Sequence, residues 1–298
     1  MKGAPSKPIT AAVLRRWPLP RLEPRLGKVA RGRLVVVGGS ETNPGAVILA
    51  ATAALRAGAG TLVIATSHRR AGEVAVAFPE ARVVGLRSAR SGELAAAGMR
   101  SIEHEVSACD TLVLGPGMMD GRAGTAMLHH CARAHAPVTC VVDAAPLAEV
   151  LHHKPGPGAP ALILTPHPGE MATLCGITSD DVLARPLELA RQTARRLGAV
   201  IALKGAVTHV VAPDGRAYHS TAGNLGLGTA GSGDVLSGVI GGLCAQGADP
   251  LQAAVWGVHL HGCAGDVLAR TIGPLGYLAR ELPAELPALL ARLAGNRR

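Results

Sequence analysis

Leu34-Val35-Val36-Val37-Gly38-Gly39-Ser40 opens the stretch that settles the fold class, residues 44–57 follow it, and Thr61-Leu62-Val63-Ile64-Ala65 completes it. The first run is continuously apolar and ends on two glycines, which reads as a strand buried on both faces. Residues 44–57 are rich in Ala and Leu, with Pro44 near the first turn, and read as a helix ended by Gly58 and Gly60. The third run is a second apolar strand. Strand, helix and strand in this order make a βαβ unit.

The alternation continues outward from this unit. Residues 82–86, 111–114, 138–142, 161–164, 199–203 and 208–212 read as strands, and residues 122–134, 179–197, 233–245 and 250–270 as helices. Pro213-Asp214-Gly215 is a turn that joins 208–212 to 216–219 as a hairpin. Residues 283–293 form an amphipathic helix. The expectation is an α/β fold built on one doubly wound, mostly parallel sheet with helices on both faces, binding ligands at the carboxyl ends of its strands. Residues 1–30 are expected to be an N-terminal arm and residues 31–298 a single catalytic domain. Residues 152–160 are rich in Pro and Gly and read as a loop rather than a linker.

Composition narrows the function. Hydrophobic residues make up 48% of the 298 residues but aromatics only 2%, so the core must be built from Ala, Val, Leu and Ile packed against Gly. No apolar run reaches the ~18–20 residues of a membrane span. The net charge is +9, yet the Arg residues are scattered and stacking aromatics are almost absent, which argues against nucleic acid. A basic surface suits an anionic substrate. The six cysteines form no CxxC pair and read as reduced core residues of a cytoplasmic protein. The N-terminal residues lack the apolar core of a secretory signal.

Most of the chemistry falls where strands end. In Gly228-Thr229-Ala230-Gly231-Ser232-Gly233-Asp234 a glycine-rich loop turns into a helix, so that the backbone N–H groups of Gly231, Ser232 and Gly233 can form an anion hole. Asp234 at the helix start is either a base for a hydroxyl beside a phosphate or a helix cap. The loop is neither a Walker A motif nor a dinucleotide fingerprint. Lys204, one of five lysines, ends an apolar strand and is placed to meet a phosphate, or else to reach solvent along its stem. His167 sits in Thr165-Pro166-His167-Pro168-Gly169-Glu170, stiffened by two prolines. Gly115-Pro116-Gly117 and Asp143 end two more strands at the same rim. His259 and His261 lie two apart in an apolar helix and read as core or interface histidines, because helix metal ligands prefer i, i+4 spacing. The sequence shows no metal-ligand cluster.

Gly-Gly-Ser running into Pro44-Gly45-Ala46, Gly115-Pro116-Gly117, Val142-Asp143-Ala144, the Thr165–Glu170 loop, Lys204-Gly205-Ala206-Val207-Thr208 and Gly231-Ser232-Gly233-Asp234 together resemble the ADP- or ATP-dependent NAD(P)H-hydrate dehydratases, in order and spacing from about residue 30 to residue 270. The resemblance implies a ribokinase-like fold and a cofactor-repair lyase. Such an enzyme phosphorylates the ring hydroxyl of hydrated NADH or NADPH with an adenine nucleotide and Mg2+, then expels phosphate. It also implies roles by position. Asp234 would be catalytic; Ala46, Gly117, His167 and Asp234 would contact the hydrated cofactor; Lys204, Gly205, Ala206, Val207, Thr208 and Gly233 would hold ADP or ATP. Family members are typically homo-oligomers. An epimerase is often fused at their N-terminus; here about 30 residues precede the domain, so an epimerase is expected to be a separate protein. Two positions depart from the family pattern: Ala145 where a second Asp is frequent, and Leu225 where Pro is usual. The competing readings are a kinase of a small hydroxylated heterocycle, of thiamine-precursor type, and a catalytically silent nucleotide-binding protein.

Overall fold

The apolar run at Leu34 lies in the middle of the sheet. In the computed structural model, which describes residues 5–21, 27, 31–134, 138–152 and 159–293, the strands are β1 (Lys7–Pro8), β2 (Arg33–Val37), β3 (Thr61–Ser67), β4 (Arg82–Leu86), β5 (Thr111–Leu114), β6 (Thr139–Val142), β7 (Ala161–Leu164), β8 (Val200–Leu203), β9 (Thr208–Val211) and β10 (Ala217–Ser220). They form one sheet in the order β1-β10-β9-β8-β7-β6-β5-β2-β3-β4. Only β9 runs against its neighbours, and the hairpin to β10 turns where Pro213-Asp214-Gly215 predicts it. β5 and β8 are buried along their whole length, as their unbroken apolar runs require.

From β2 the chain moves to β3 and β4 at one edge, then crosses back to β5 and continues through β6, β7 and β8. β2 and β5 are therefore neighbours whose following connections leave in opposite directions, the switch point where open α/β sheets bind ligands.

Helices cover both faces. One face carries α1 (Ala11–Arg16), α2 (Gly45–Arg56) and α3 (His68–Ala77); the other carries α4 (Glu103–Ser107), α5 (Arg122–Ala134), α6 (Pro146–Glu149), α7 (Pro168–Cys175), α8 (Ser179–Ala184) and α9 (Pro186–Leu197); and α10 (Ser232–Ala245), α11 (Pro250–Thr271) and α12 (Leu282–Leu293) return to the first. The two apolar cores are separate, one beneath each face.

Two differences from the sequence reading have a plain cause in the chain. Residues 179–197 are two helices, because Pro186 disfavours the helical region for Arg185, which sits at φ −138°. The polar helix α3 carried too weak an apolar period to be expected. The N-terminal residues enter the fold: β1 pairs in parallel with β10, and the Trp17 carbonyl accepts bonds from Trp256 Nε1 at 2.9 Å and Gln252 Nε2 at 3.2 Å. The remaining residues of the arm, and residues 153–158 of the Pro/Gly-rich loop, lie outside the described residues. No helix among the described residues is long and apolar enough to cross a membrane. All six cysteines are free thiols.

Candidate active site

Glycine and alanine set the position of the site. α10 lies across α2 with backbones touching: a Cβ on Gly238 would stand 2.1 Å from the Ala50 carbonyl oxygen, and one on Gly242 2.5 Å from that of Ala54. This contact, together with packing against β5 and β6, aims the N-terminus of α10 at the switch point. The helix is entered through Gly231 at φ +88°, where a Cβ would also meet Leu49 Cδ1 at 2.5 Å, so only glycine serves. The expected anion hole is altered in one member. The Ser232 N–H donates to the Thr229 carbonyl at 3.2 Å, whereas the N–H groups of Gly231, Gly233 and Asp234 meet no carbonyl among the described residues. These three are the free donors of the helix end, where the helix dipole favours an anion.

Asp234 does not cap its own helix. Its carboxylate accepts the backbone N–H of Gly117, in the loop after β5. Gly117, at φ +71°, lies against α2, where a Cβ would stand 2.6 Å from the Ala46 Cβ. Ala46, Gly117 and Asp234, three of the four residues implied for the hydrated cofactor, thus come together from the first turn of α2, the loop after β5 and the first turn of α10. Burial raises the Asp234 carboxyl, the nearby Asp143 carboxylate raises it further, and Lys204 and the Gly117 N–H oppose the shift; the result is about 7. A carboxyl titrating there is suited to general base work.

Asp143 forms the floor of the site. It is 3% exposed and is bonded by Lys204 Nζ at 2.9 Å and by Thr165 Oγ1 at 2.8 Å. The next residue, Ala144, is the only non-glycine described residue with positive φ, at 56°. Its strain and the bare Cα of Gly115, where a Cβ would meet the Asp143 carbonyl oxygen at 1.9 Å, allow this sharp exit from β6. Burial alone would lower the Lys204 ammonium, but the Asp143, Glu170 and Asp234 carboxylates outweigh it and hold it above the ordinary lysine value. Lys204 therefore stays charged. Gly233 lies against the pair, since a Cβ there would be 3.3 Å from Lys204 Nζ and 3.5 Å from Asp143 Oδ2.

His167 is the N-cap of α7. Its Nδ1 accepts the N–H groups of Gly169 at 3.0 Å and Glu170 at 3.3 Å, while Glu170 Oε2 accepts the His167 N–H at 2.7 Å. Nδ1 is thereby occupied as an acceptor, and Nε2 carries the ring proton. Glu170 also lies 3.8 Å from Lys204 Nζ, which links this loop to Asp143.

Lys204, Gly205, Ala206 and Val207 line a cavity of about 530 Å³ with Pro168 and Leu183 among its apolar walls. Thr208 closes the loop, its Oγ1 donating to the Gly205 carbonyl at 3.3 Å. Of the nucleotide-binding residues expected from the sequence, Lys204 to Val207 thus fall on one cavity wall, with Gly233 across Lys204 from them. Among the described residues no group of three or more His, Cys, Asp or Glu could hold a metal ion.

Sequence reasoning left three contributors without a role. Asp143 was placed at the rim, but its pairing with Lys204 joins residues 61 positions apart. Glu170 was seen only as the start of a helix. His261, read as a core or interface histidine, is buried, and its Nε2 lies 3.0 Å from the Ser232 carbonyl oxygen and 3.1 Å from Ser232 Oγ, directly behind the free end of α10. Burial pushes it down to about 4, so it is neutral. Its place among apolar neighbours gave no sign of that contact. Of the two departures from the family pattern, Leu225 is 80% exposed and Ala145 caps α6.

The geometry agrees with what the chain resembles. A family profile described as NAD(P)H-hydrate dehydratase matches residues 34–288. An ADP-dependent (S)-NAD(P)H-hydrate dehydratase of Xanthomonas campestris pv. campestris is 45% identical, across 98% of this chain and 99% of that protein. A bifunctional NAD(P)H-hydrate repair enzyme of Moorella thermoacetica is 40% identical over 92% of this chain, which spans about half of that longer protein, 52%. Among solved structures, the ADP/ATP-dependent NAD(P)H-hydrate dehydratase of Bacillus subtilis, co-crystallized with ATP/Mg2+, superposes with a TM-score of 0.84 at 29% identity, covering 97% of this chain and 99% of that one. Profile, full-length relative and ribokinase-like architecture agree, and the chain belongs to the NAD(P)H-hydrate dehydratase family.

Proposed function

We propose that the protein repairs hydrated NADH and NADPH. It uses ADP or ATP to phosphorylate the ring hydroxyl, then lets phosphate leave as the ring double bond returns. One observation carries the reading: a carboxyl titrating at about 7, Asp234, sits in the first turn at the open end of α10, facing the Gly117 loop that packs against Ala46.

The steps follow from the residues. Hydroxide is a poor leaving group and phosphate a good one, so transfer of a phosphoryl group makes the elimination possible. Asp234 takes the proton of the hydroxyl as its oxygen attacks the terminal phosphorus of the nucleotide. The N–H groups of Gly231, Gly233 and Asp234 and the Lys204 ammonium hold the charge spread over the transferring oxygens. The C–O bond to the ring carbon then breaks with its electron pair going to phosphate, and loss of a proton from the neighbouring ring carbon restores the double bond. His167 offers its Nε2–H to the hydrated cofactor. Glu170 and Asp143 are the carboxylates of the Lys204 corner and suit Mg2+, which keeps most of its waters and binds through one or two carboxylates plus phosphates. It would neutralise phosphate charge there.

The heterocycle kinase and the silent binder are not favoured. A kinase would stop at a stable phosphorylated product, and a silent protein has no use for a base poised near neutrality. The same reading makes the protein a cytoplasmic homo-oligomer working alongside an epimerase. Incubation with hydrated NADH, Mg2+ and either ADP or ATP should regenerate the absorbance of reduced nicotinamide, and Asp234→Asn should abolish it. Accumulation of a phosphorylated hydrate with no recovered absorbance would overturn the reading in favour of the kinase.

A further inference from the structure

The substrate of the proposed reaction is a dinucleotide, and the residues assigned to it above serve its hydrated ring. From Asp234 the rim of the sheet runs two ways. Toward β8 and β9 lies the cavity of Lys204 to Val207. Toward β3 and β4 lies a second cavity of about 360 Å³, lined by Glu41, His68, Arg69, Arg87 and Ser88 among others. We propose that this second cavity is the subsite for the distal half of the hydrated cofactor, its diphosphate and adenosine ribose. The inference rests on the dehydration reading and extends it.

Continuity supports the assignment. Glu41 lies in the connection between β2 and α2, and Ala46 lies in the first turn of α2 that this connection leads into. That connection is pinned to the cavity wall: the Glu41 N–H donates to the Gly92 carbonyl at 2.9 Å, and Arg70 Nε donates to the Glu41 carbonyl at 2.9 Å. On the other side, the Met119 N–H donates to Glu93 Oε2 at 3.0 Å, tying the segment after β4 to the loop that carries Gly117. Ser67 and Ser88, at the ends of β3 and β4, share a bond of 2.9 Å. A ligand anchored between Ala46 and Gly117 thus has a continuous, hydrogen-bonded path into the cavity.

The chemistry fits a diphosphate and a ribose. The Arg87 carbonyl accepts the Ala95 N–H at 2.9 Å, but its guanidinium makes no hydrogen bond or ion pair among the described residues and is available for bidentate contact with phosphate oxygens. Arg69 is held by Glu41 at 3.3 Å, which compensates the carboxylate and leaves its remaining oxygen positions to accept ribose hydroxyls. Gly85 permits the close wall on the third side, since a Cβ there would stand 2.8 Å from His68 Nδ1. The excess of cations over the single carboxylate suits an anion.

ADP-ribose, which carries the distal half and lacks the ring, is the direct probe. Calorimetry with the protein saturated in ADP removes its access to the nucleotide cavity. ADP-ribose should bind, compete with hydrated NADH, and bind about tenfold more weakly to Arg87→Ala, the low end of what a hydrogen bond to a charged group contributes because Arg87 is exposed. In turnover, Arg87→Ala should raise the KM ratio of hydrated NADH to hydrated nicotinamide mononucleotide by a similar factor with kcat retained. Failure of ADP-ribose to bind the ADP-saturated protein, or binding and KM ratio unchanged in both Arg87→Ala and Arg69→Ala, would overturn the subsite. Absence of turnover by the unaltered protein would instead count against the dehydration reading, and the calorimetry, which needs no turnover, separates the two.

Discussion

Asp234→Asn should make the protein inactive and more stable. In the folded protein the Asp234 carboxyl titrates at about 7, against an ordinary value of 3.8. The raised value means that the native state binds the proton more tightly than the unfolded chain does. Stability from this group is fully present below 3.8 and is lost as the pH rises through 7, because the folded protein must then hold a buried carboxylate. One pKa unit is worth about 1.4 kcal/mol, so ionisation costs about 2 kcal/mol at pH 5 and about 4 kcal/mol at pH 8. Asparagine has the same shape, is neutral throughout, and can still accept the Gly117 N–H. Urea unfolding of both proteins at the two pH values measures the gain; every other titrating group cancels in the difference. The gain should grow by about 3 kcal/mol from pH 5 to pH 8. A gain that does not change with pH would refute the environment assigned to Asp234, and with it the reason for choosing this residue as the base.

Further consequences concern its neighbours. The pH profile of kcat/KM should show an acid limb near 7, and Asp143→Asn should move that limb to lower pH, since it removes a repelling carboxylate and frees Lys204 to face Asp234. Lys204→Met leaves the Asp143 carboxylate buried without its partner and should cost about 3 kcal/mol in thermal or urea unfolding; Asp143→Asn in the same chain should recover much of it. His261→Leu leaves the buried Ser232 hydroxyl without its partner, so kcat should fall while the KM for nucleotide changes little, and His261→Gln should restore part of the loss. Gly238→Ala should destabilise the protein by about 3 kcal/mol, because the new methyl meets backbone that cannot give way.

The sequence made the sheet legible because its strands are continuous apolar runs ended by glycine or by a chemical group at one rim. It also marked the rim residues, Ala46, Gly117, His167, Lys204 and Asp234, since each lies in a connection after a strand or in the first turn of the helix that the connection enters. Other features were not legible for stated reasons. The break at Pro186 lay inside a long periodic segment, and the period masked it. β1 is two residues long and gains its place from β10 rather than from its own pattern. The Asp143–Lys204 pair depends on β6 and β8 flanking β7, a neighbourhood that no local spacing encodes. The His261 contact with Ser232 depends in the same way on α11 packing beside α10.

The unusual composition and the proposed chemistry have a common cause. Aromatic side chains hold helices apart, whereas here α2 and α10 touch along Gly238, Gly242, Ala50 and Ala54, with no room for a Cβ at either glycine. That contact is what carries the free N–H groups of α10 over the junction of β2 and β5, and it also brings Ala46 at the start of α2 against Gly117. Had the seam been filled with leucines at the usual helix separation, the anion-binding end and the hydroxyl-presenting loop would stand farther apart than a hydrogen bond allows. The Ala- and Gly-rich core is thus the means by which the proposed base, the free N–H groups of α10 and the loop carrying Gly117 are held close together. For the same reason, substitutions in this seam, remote from any ligand, should register in kcat as well as in stability.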